Sequence, residues 1–444
     1  MTRSTAVRTP EVSLYSWYMV FLCTVAYVFS FVDRQVLALL VGPIRADLQL
    51  SDTQFSLLHG LAFAIFYAIM GLPIARLADT RSRPRIIAAG IVVWSIATSL
   101  CGVARNFWQL FFARMAVGAG EAALSPAAYS MITDSFPRSQ LGFALGIYSL
   151  GTFIGSGLAY LIGGAAIEWV SHIGPIELPL VGAVKPWQLT FFVVGIPGVI
   201  IAALFVLTVR DPDRMGLAAN DRDGFRISQV LGYIREHRAA FFTHYVGFGF
   251  LSLALFALLS WSPAFLIRSF GLGPKEVGVH LGLVVLIANT AGTLSSGWLM
   301  DRLTRLGYED AALRSGVIGG LGLIVPVSTF ALFEGLGGAV SMLALAMYFA
   351  SFPVASSAAA LQCMAPNRMR AQVTALFFLF MNLMGITGGA TLVALCTDYI
   401  FQDDGSVGFS ISIIAAVASI LGVACLCWGL RYFRNTVREQ AEVQ

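Results

Sequence analysis

The sequence predicts an all-α membrane protein whose chain crosses the bilayer about twelve times. Two observations carry this. Of its 444 residues, 57% are hydrophobic and 12% charged, about half the charge of an ordinary soluble domain. Apolar stretches of roughly 18 residues or more also recur along the whole chain, each long enough for a hydrocarbon core about 30 Å thick.

The stretches fall at residues 17–40, 54–78, 86–104, 108–132, 140–164 and 187–209, then at 241–267, 277–300, 314–333, 337–361, 371–397 and 408–430. We number them spans 1 to 12. An even number of spans puts both termini on one side. That side carries Arg3, Arg8, Arg76, Arg81, Arg83, Arg85 and Arg138, the arginines between 210 and 238, and those of the later alternate loops. The opposite side holds Arg45, Arg105, Lys185, Arg268 and Lys275. The ratio is about four to one, so the termini are expected to be cytoplasmic. The net charge of +4 needs no nucleic acid; the basic loops orient the chain and touch anionic membrane lipids. Residues 1–16 are polar and the first apolar run is too long for a signal peptide, so no cleavable leader is expected.

All six cysteines lie within spans or, for Cys363, just past a span end, and they form neither a disulfide framework nor a zinc spacing. No HExxH or GxSxG motif occurs, and the histidines are scattered, so an enzyme is not expected, nor a cofactor or metal.

The longest cytoplasmic stretch, about 210–240, divides the chain into an N-terminal six-helix bundle (1–209) and a C-terminal one (241–444). A short element recurs after span 2, Ala75-Arg76-Leu77-Ala78-Asp79-Thr80-Arg81-Ser82-Arg83, and after span 8, Gly297-Trp298-Leu299-Met300-Asp301-Arg302-Leu303-Thr304-Arg305. In both, an Asp closes the helix and an Arg follows four residues later. Repeated halves with a site between them near the midplane are typical of secondary transporters.

Four ionisable residues interrupt apolar stretches of the first half: Asp33, Arg34, Arg114 and Glu121. Charge within a bilayer is costly and usually marks function. At 1.5 Å per residue, Asp33 lies about 11 Å from the outer end of span 1 and Arg114 about 12 Å into span 4. Glu121 is two turns further along span 4, roughly 10 Å deeper. A carboxylate far from water takes up protons more readily unless a close guanidinium opposes this, so Asp33 and Glu121 are the proton-coupling candidates. Asp33 is expected to face Arg34 and Arg114, and to change with the state of the protein; Glu121 is expected to hold its proton at rest. A freed guanidinium binds phosphate or carboxylate in a fork, which makes Arg34 and Arg114 substrate-binding candidates. The plainer reading is a static salt bridge holding span 1 to span 4.

The chain resembles the major facilitator superfamily over nearly its full length. Gly297, Asp301, Arg302 and Arg305 match the family's loop signature G-x-x-x-D-R-x-x-R; the first copy departs from it at Ala75 and Thr80. The resemblance implies twelve transmembrane helices in two pseudo-symmetric six-helix bundles around a central cavity lined by spans 1, 4, 7 and 10. It implies gating by Asp79 at the N-terminus of span 11, Asp301 at that of span 5, and Arg83 paired with Asp134. These contacts would hold an outward-open state and break when the cytoplasmic side opens.

A narrower resemblance is to the spinster-like branch, which moves sphingolipids and lysophospholipids. It rests on Phe31-Val32-Asp33-Arg34, on Arg114 to Ala122 with Glu121, and on Ser125-Pro126-Ala127. It implies a monomer in a bacterial inner membrane that moves an amphipathic lipid by proton-coupled alternating access. The last six spans carry no Asp, Glu, Lys or Arg deep within them, which suits an acyl tail. Phe250, Leu253, Phe256 and Leu259 of span 7 are candidates for contact, and Ser351, Asn289 and Tyr148 for hydrogen bonds. An efflux pump for amphipathic drugs and a carrier of small organic anions are the alternatives. Gly151, Gly155 and Gly157 give span 5 only part of an antiporter signature. His59, His244 and His280, near span ends, are read as incidental.

Overall fold

Span 1 starts where Ser13 caps it, its hydroxyl accepting from the Ser16 amide at 3.2 Å, and runs Leu14–Leu39. The computed structural model describes residues 13–178, 182–214, 227–366 and 369–443; Arg3, Arg8, Arg222, Arg226 and Arg368 lie outside them. Eleven helical runs among these residues are long and apolar enough to cross a membrane. The twelfth crossing is span 4, which breaks at Ala122 and Ala123 into Phe107–Glu121 and Leu124–Ser135. Span 10, its counterpart in the second half, breaks at Ser351 between Leu336–Ala350 and Phe352–Met364. Neither break was visible in the apolar pattern, because the break residues are themselves apolar or small.

The other spans are more regular. Span 3 is Arg83–Cys101, span 5 Arg138–Ile173, span 6 Pro186–Thr208, span 7 Arg238–Phe270, span 9 Ala311–Thr329 and span 12 Val407–Val443. Spans 2, 8 and 11 each contain a π-helical turn, at Leu57–Leu61, Val285–Asn289 and Leu383–Gly388. Such turns widen a helix by one residue and re-aim the side chains they carry. The loop after span 5 forms a two-stranded hairpin, Ile176–Leu178 against Gly182–Val184. Between the halves, helix Ile227–Glu236 docks through Tyr233, which donates to the Met364 carbonyl at 2.7 Å.

Apolar helices in a membrane gain nothing from leaving water for one another, so they associate by close packing, and small residues let backbones approach. Span 5 shows this on two sides. Gly151 and Gly155 lie against Tyr27 and Val28 of span 1. A Cβ at Gly157 would stand 2.9 Å from the Gly282 carbonyl of span 8, and one at Gly164 would stand 2.6 Å from the Pro274 carbonyl. Gly157 and Gly164 thus bring the two halves together, while Gly151 and Gly155 hold span 5 to span 1 within the first half. Tyr160 adds a hydrogen bond from span 5 to the Leu259 carbonyl of span 7 at 2.5 Å.

A Cβ at Gly278 would meet the Tyr160 carbonyl, which is backbone and cannot move aside. Gly278→Val is therefore expected to destabilise the protein by about 1–3 kcal/mol. Thermal unfolding in detergent checks this, with Gly146→Val, where a Cβ meets nothing within 4 Å, as the neutral comparison.

Candidate functional site

Adjacent residues of a helix point about 100° apart, and this separates Asp33 from Arg34. Asp33 turns toward span 3, where Thr98 donates to its Oδ2 at 2.9 Å. Arg34 turns toward spans 2 and 4. Its Nε donates to Glu121 Oε2 at 2.9 Å, and Nη2 donates to the same oxygen. Its guanidinium lies 4.2 Å from the Phe63 ring centre, 4.9 Å from that of Phe31 and 5.5 Å from that of Tyr67. Cation–π contact of this kind favours a desolvated guanidinium. Arg34 and Arg114 both lie within electrostatic reach of Asp33, but neither forms an ion pair with it among the described residues: Glu121 is the carboxylate in the ion pair.

Arg114 is 0% exposed. None of its three guanidinium nitrogens has a hydrogen-bond partner among the described residues. Its nearest aromatic face is Phe63, at 5.9 Å. Glu121 Oε1 and Gln35 Oε1 are likewise buried without a partner. Glu121 cannot serve Arg114 well, since it lies two turns away on the same helix and is committed to Arg34. Close packing holds this geometry. A Cβ at Gly118 would meet the Phe63 carbonyl, and one at Gly120 would lie 2.7 Å from the Trp94 amide nitrogen. Glycine at both positions lets span 4 sit against spans 2 and 3.

His59, read from the sequence as incidental, is a further member of the cluster. It sits in the π-helical turn of span 2, one turn before Phe63, with Nδ1 buried and unpartnered. It lies within electrostatic reach of Arg114 and Arg34. Only the π-turn distinguishes it, and that has no sequence signature here. His244, read as a span-end residue, is instead fully buried in span 7, with Nε2 at 3.0 Å from the Ser357 carbonyl.

The remaining candidates are dispersed. Tyr148 is buried, stacked on Tyr27 at 4.9 Å, with its hydroxyl 3.4 Å from Ser125 Oγ. Tyr27 in turn meets Phe31 edge-on at 5.3 Å, so an aromatic series runs from Tyr148 to Arg34. Asn289 lies in the π-turn of span 8, is 0% exposed, and has both amide atoms unpartnered. Phe256 is partly buried against span 11, where a Cβ at Gly385 would be 2.9 Å from its ring. Ser351 donates to the Tyr348 carbonyl at 2.8 Å and packs against Gly292 at the break of span 10; its hydroxyl is already engaged.

Of the gating candidates, Arg83 is fully buried and pairs with Asp134 as expected. It also donates to Asp211 at 2.7 Å, Ser130 at 2.9 Å and the Pro212 carbonyl at 2.5 Å, so it ties spans 3 and 4 to the chain that leaves span 6. The Asp79 side chain lies outside the described residues. Asp301 is exposed and makes no ion pair among the described residues, so it does not engage span 5 in this state. Arg302 lies over Trp298 at 5.5 Å, and Arg305 is exposed.

Removing one partner from a buried ion pair strands the other and costs about 3–5 kcal/mol. Arg34→Gln, which strands the buried Glu121, is expected to show a loss of this order, and Glu121→Gln, which strands the half-buried Arg34, a smaller one. The double variant should lose clearly less than their sum. Unfolding of the three variants and the parent in one detergent checks it.

Residues 23–389 match the Major Facilitator Superfamily. An MFS-type efflux pump of Mycolicibacterium smegmatis is 28% identical over 431 residues, covering 96% of this chain and 95% of the pump. A hexuronate transporter of Bacillus subtilis is 25% identical over 82% of this chain and 84% of its own. Among solved structures, a bacterial homologue of the human lysosomal transporter spinster, inward-facing and unoccupied, superposes with a TM-score of 0.75 at 26% identity, covering 97% and 99% of the two chains. With its twelve helical crossings, paired helix breaks and repeated loop element, the chain belongs to the major facilitator superfamily and is a multi-pass membrane transporter.

Proposed function

We propose that this transporter moves an amphipathic anion, a lysophospholipid or sphingoid phosphate, in exchange with or together with protons. The observation that carries the reading is Arg114: a buried guanidinium with three unpartnered nitrogens. An unpaired buried charge is costly, and a phosphate or carboxylate that enters a fork of N–H donors relieves that cost. The headgroup sits on Arg114, with Gln35 and His59 beside it. Asn289 supplies a hydrogen bond from the second half. The tail lies along the apolar surface of span 7, where Phe256 is only partly buried. Ser351 and Tyr148 shape the helices around this path.

The same geometry supplies a coupling device. An anion on Arg114 competes with Glu121 for Arg34, whose guanidinium stands at the same Phe63 ring. When Arg34 turns to the anion, Glu121 loses its counter-ion and is free to take a proton. Anion and proton then favour one another. Asp33, hydrogen-bonded to Thr98, is the second proton acceptor. Residues 1–209 and 241–444 rock as two units joined by 210–240, with the termini cytoplasmic in a bacterial inner membrane, as a monomer. Arg83 with Asp134, and Asp301 at the N-terminus of span 5 in the opposite state, with Arg302 and Arg305 beside it, gate the terminus side.

A second reading, a carrier of small organic anions, is favoured by the similarity to a hexuronate transporter. The same arginine would serve a short acid. The two readings separate on the tail.

The test is flux of a fluorescent lysophospholipid into proteoliposomes under an imposed proton gradient. The parent protein is expected to follow the gradient. Arg114→Gln should lose at least about tenfold in flux, as when a charge-assisted hydrogen bond to the moving group is removed. Glu121→Gln should transport without responding to the gradient. Inhibition by a hexuronate as strong as by unlabelled lipid would favour the organic-anion reading; no lipid flux in any variant would overturn the proposal.

A further inference from the structure

Tyr160, Tyr233 and Tyr245 staple helices together, each donating to a backbone carbonyl, of Leu259, Met364 and Val373. A second group of tyrosines is arranged differently. Tyr148 donates to the Ser125 hydroxyl at 3.4 Å, and the Tyr129 and Ser149 hydroxyls lie 3.3 Å apart. Tyr67 of span 2 also bonds Ser125. A carbonyl only accepts, whereas a hydroxyl can accept one proton while it gives up another.

These hydroxyls lead from the charged cluster toward the terminus side. Glu121, Ser125 and Tyr129 follow one another along span 4 at four-residue intervals, so they share one face, and Tyr129 lies about 12 Å nearer that side than Glu121. Tyr27 stacks on Tyr148 at 4.9 Å and Tyr129 meets Tyr148 edge-on at 5.1 Å, which packs the rings together. The two ends of the series differ in access. The Glu121 side chain is 1% exposed and its Oε1 has no partner, so it reaches water only through its neighbours. Tyr129 is 42% exposed, and Ser149 is exposed beside it. Tyr67 lies within electrostatic reach of Glu121. Arg34 touches both, bonded to Glu121 Oε2 and with its guanidinium 5.5 Å from the Tyr67 ring.

We propose that Tyr67, Ser125, Tyr148 and Tyr129 form the path by which Glu121 exchanges its proton with the terminus side, and that Arg34 gates it. The inference rests on the proton-coupled reading above. While Arg34 holds Glu121, the first step is blocked. When an anion draws Arg34 away, Tyr67 gives its proton to Glu121 Oε1 and takes one from Ser125. Each hydroxyl oxygen breaks one O–H bond as it forms another, so none is left charged. The proton that reaches Glu121 is replaced from water at Tyr129 and Ser149. Water bridges the step between Tyr148 and Tyr129, whose contact is through their rings. Because the path opens only with an anion in place, it does not leak protons through the empty carrier.

The test compares two fluxes of a fluorescent lysophospholipid in proteoliposomes: net uptake driven by a proton gradient, and exchange against unlabelled lipid at equal pH on both sides. Exchange returns the carrier loaded and needs no proton to enter or leave Glu121. Tyr67→Phe and Ser125→Ala each remove one hydroxyl and little else. Both should lower net uptake about tenfold or more, as when a positioned proton donor is lost, and leave exchange within about twofold of the parent. Ser125→Thr, which restores a hydroxyl, should recover net uptake. Unchanged net uptake in both variants, in a parent that follows the gradient, would overturn the path and leave the coupling reading standing. Equal loss of uptake and exchange, or a Ser125→Thr that behaves as Ser125→Ala, would make these side chains structural and would also overturn the path. A parent that ignores the gradient would overturn the coupling reading and the path with it.

Discussion

A half-buried arginine, Arg34, holds the one close carboxylate while the fully buried Arg114 has none, and the site is organised around that inequality. Arg34 has Glu121 and three aromatic faces; Arg114 has one distant ring and no hydrogen-bond partner among the described residues. Neither state of the cluster is fully satisfied. With Arg34 on Glu121, Arg114 is bare; with an anion on the arginines, Glu121 is bare. A proton on one side and an anion on the other are the two ways to relieve the residual cost. A well-satisfied cluster in the same place would hold the helices together and couple nothing.

That inequality is built by backbone packing. Gly118 and Gly120 press span 4 onto spans 2 and 3 immediately before its break at Ala122 and Ala123, and so carry Glu121 to where Arg34 can reach it. Span 5 fits against span 1 on one side and span 8 on the other through its glycines. Because packed interfaces of this kind are bistable and not continuously deformable, a change in one ion pair can be expressed as a movement of whole helices.

Much of this was legible in the sequence, and the omissions have physical causes. Span length and arginine placement follow from solvent physics, which acts on every residue, so the crossings were visible one by one. Arg83 closes the first copy of the repeated loop element, and its pairing with Asp134 followed from the resemblance to the superfamily. The four buried charges announced themselves by cost. Their pairing did not: Asp33 and Arg34 are neighbours in sequence, yet the helix aims them at different partners, and the long Arg34 side chain spans the difference in depth to Glu121. His59 and Asn289 gained their positions from π-turns, which carry no compositional mark here. Ion pairs also join Arg45 to Asp52 and Asp404, and Arg268 to Asp52; most of the chain separates these residues, and no local pattern relates them.

The central claim is that the anion and the proton meet through Arg34 and Glu121. The most direct measurement is proton exchange on binding: the purified protein in weakly buffered detergent solution, titrated with a lysophospholipid while pH is recorded. The account predicts uptake of up to about one proton per bound lipid, by linkage between the two sites, and loss of that uptake in Glu121→Gln with binding retained. Binding without proton uptake in the parent protein, or uptake that persists in Glu121→Gln, would contradict it.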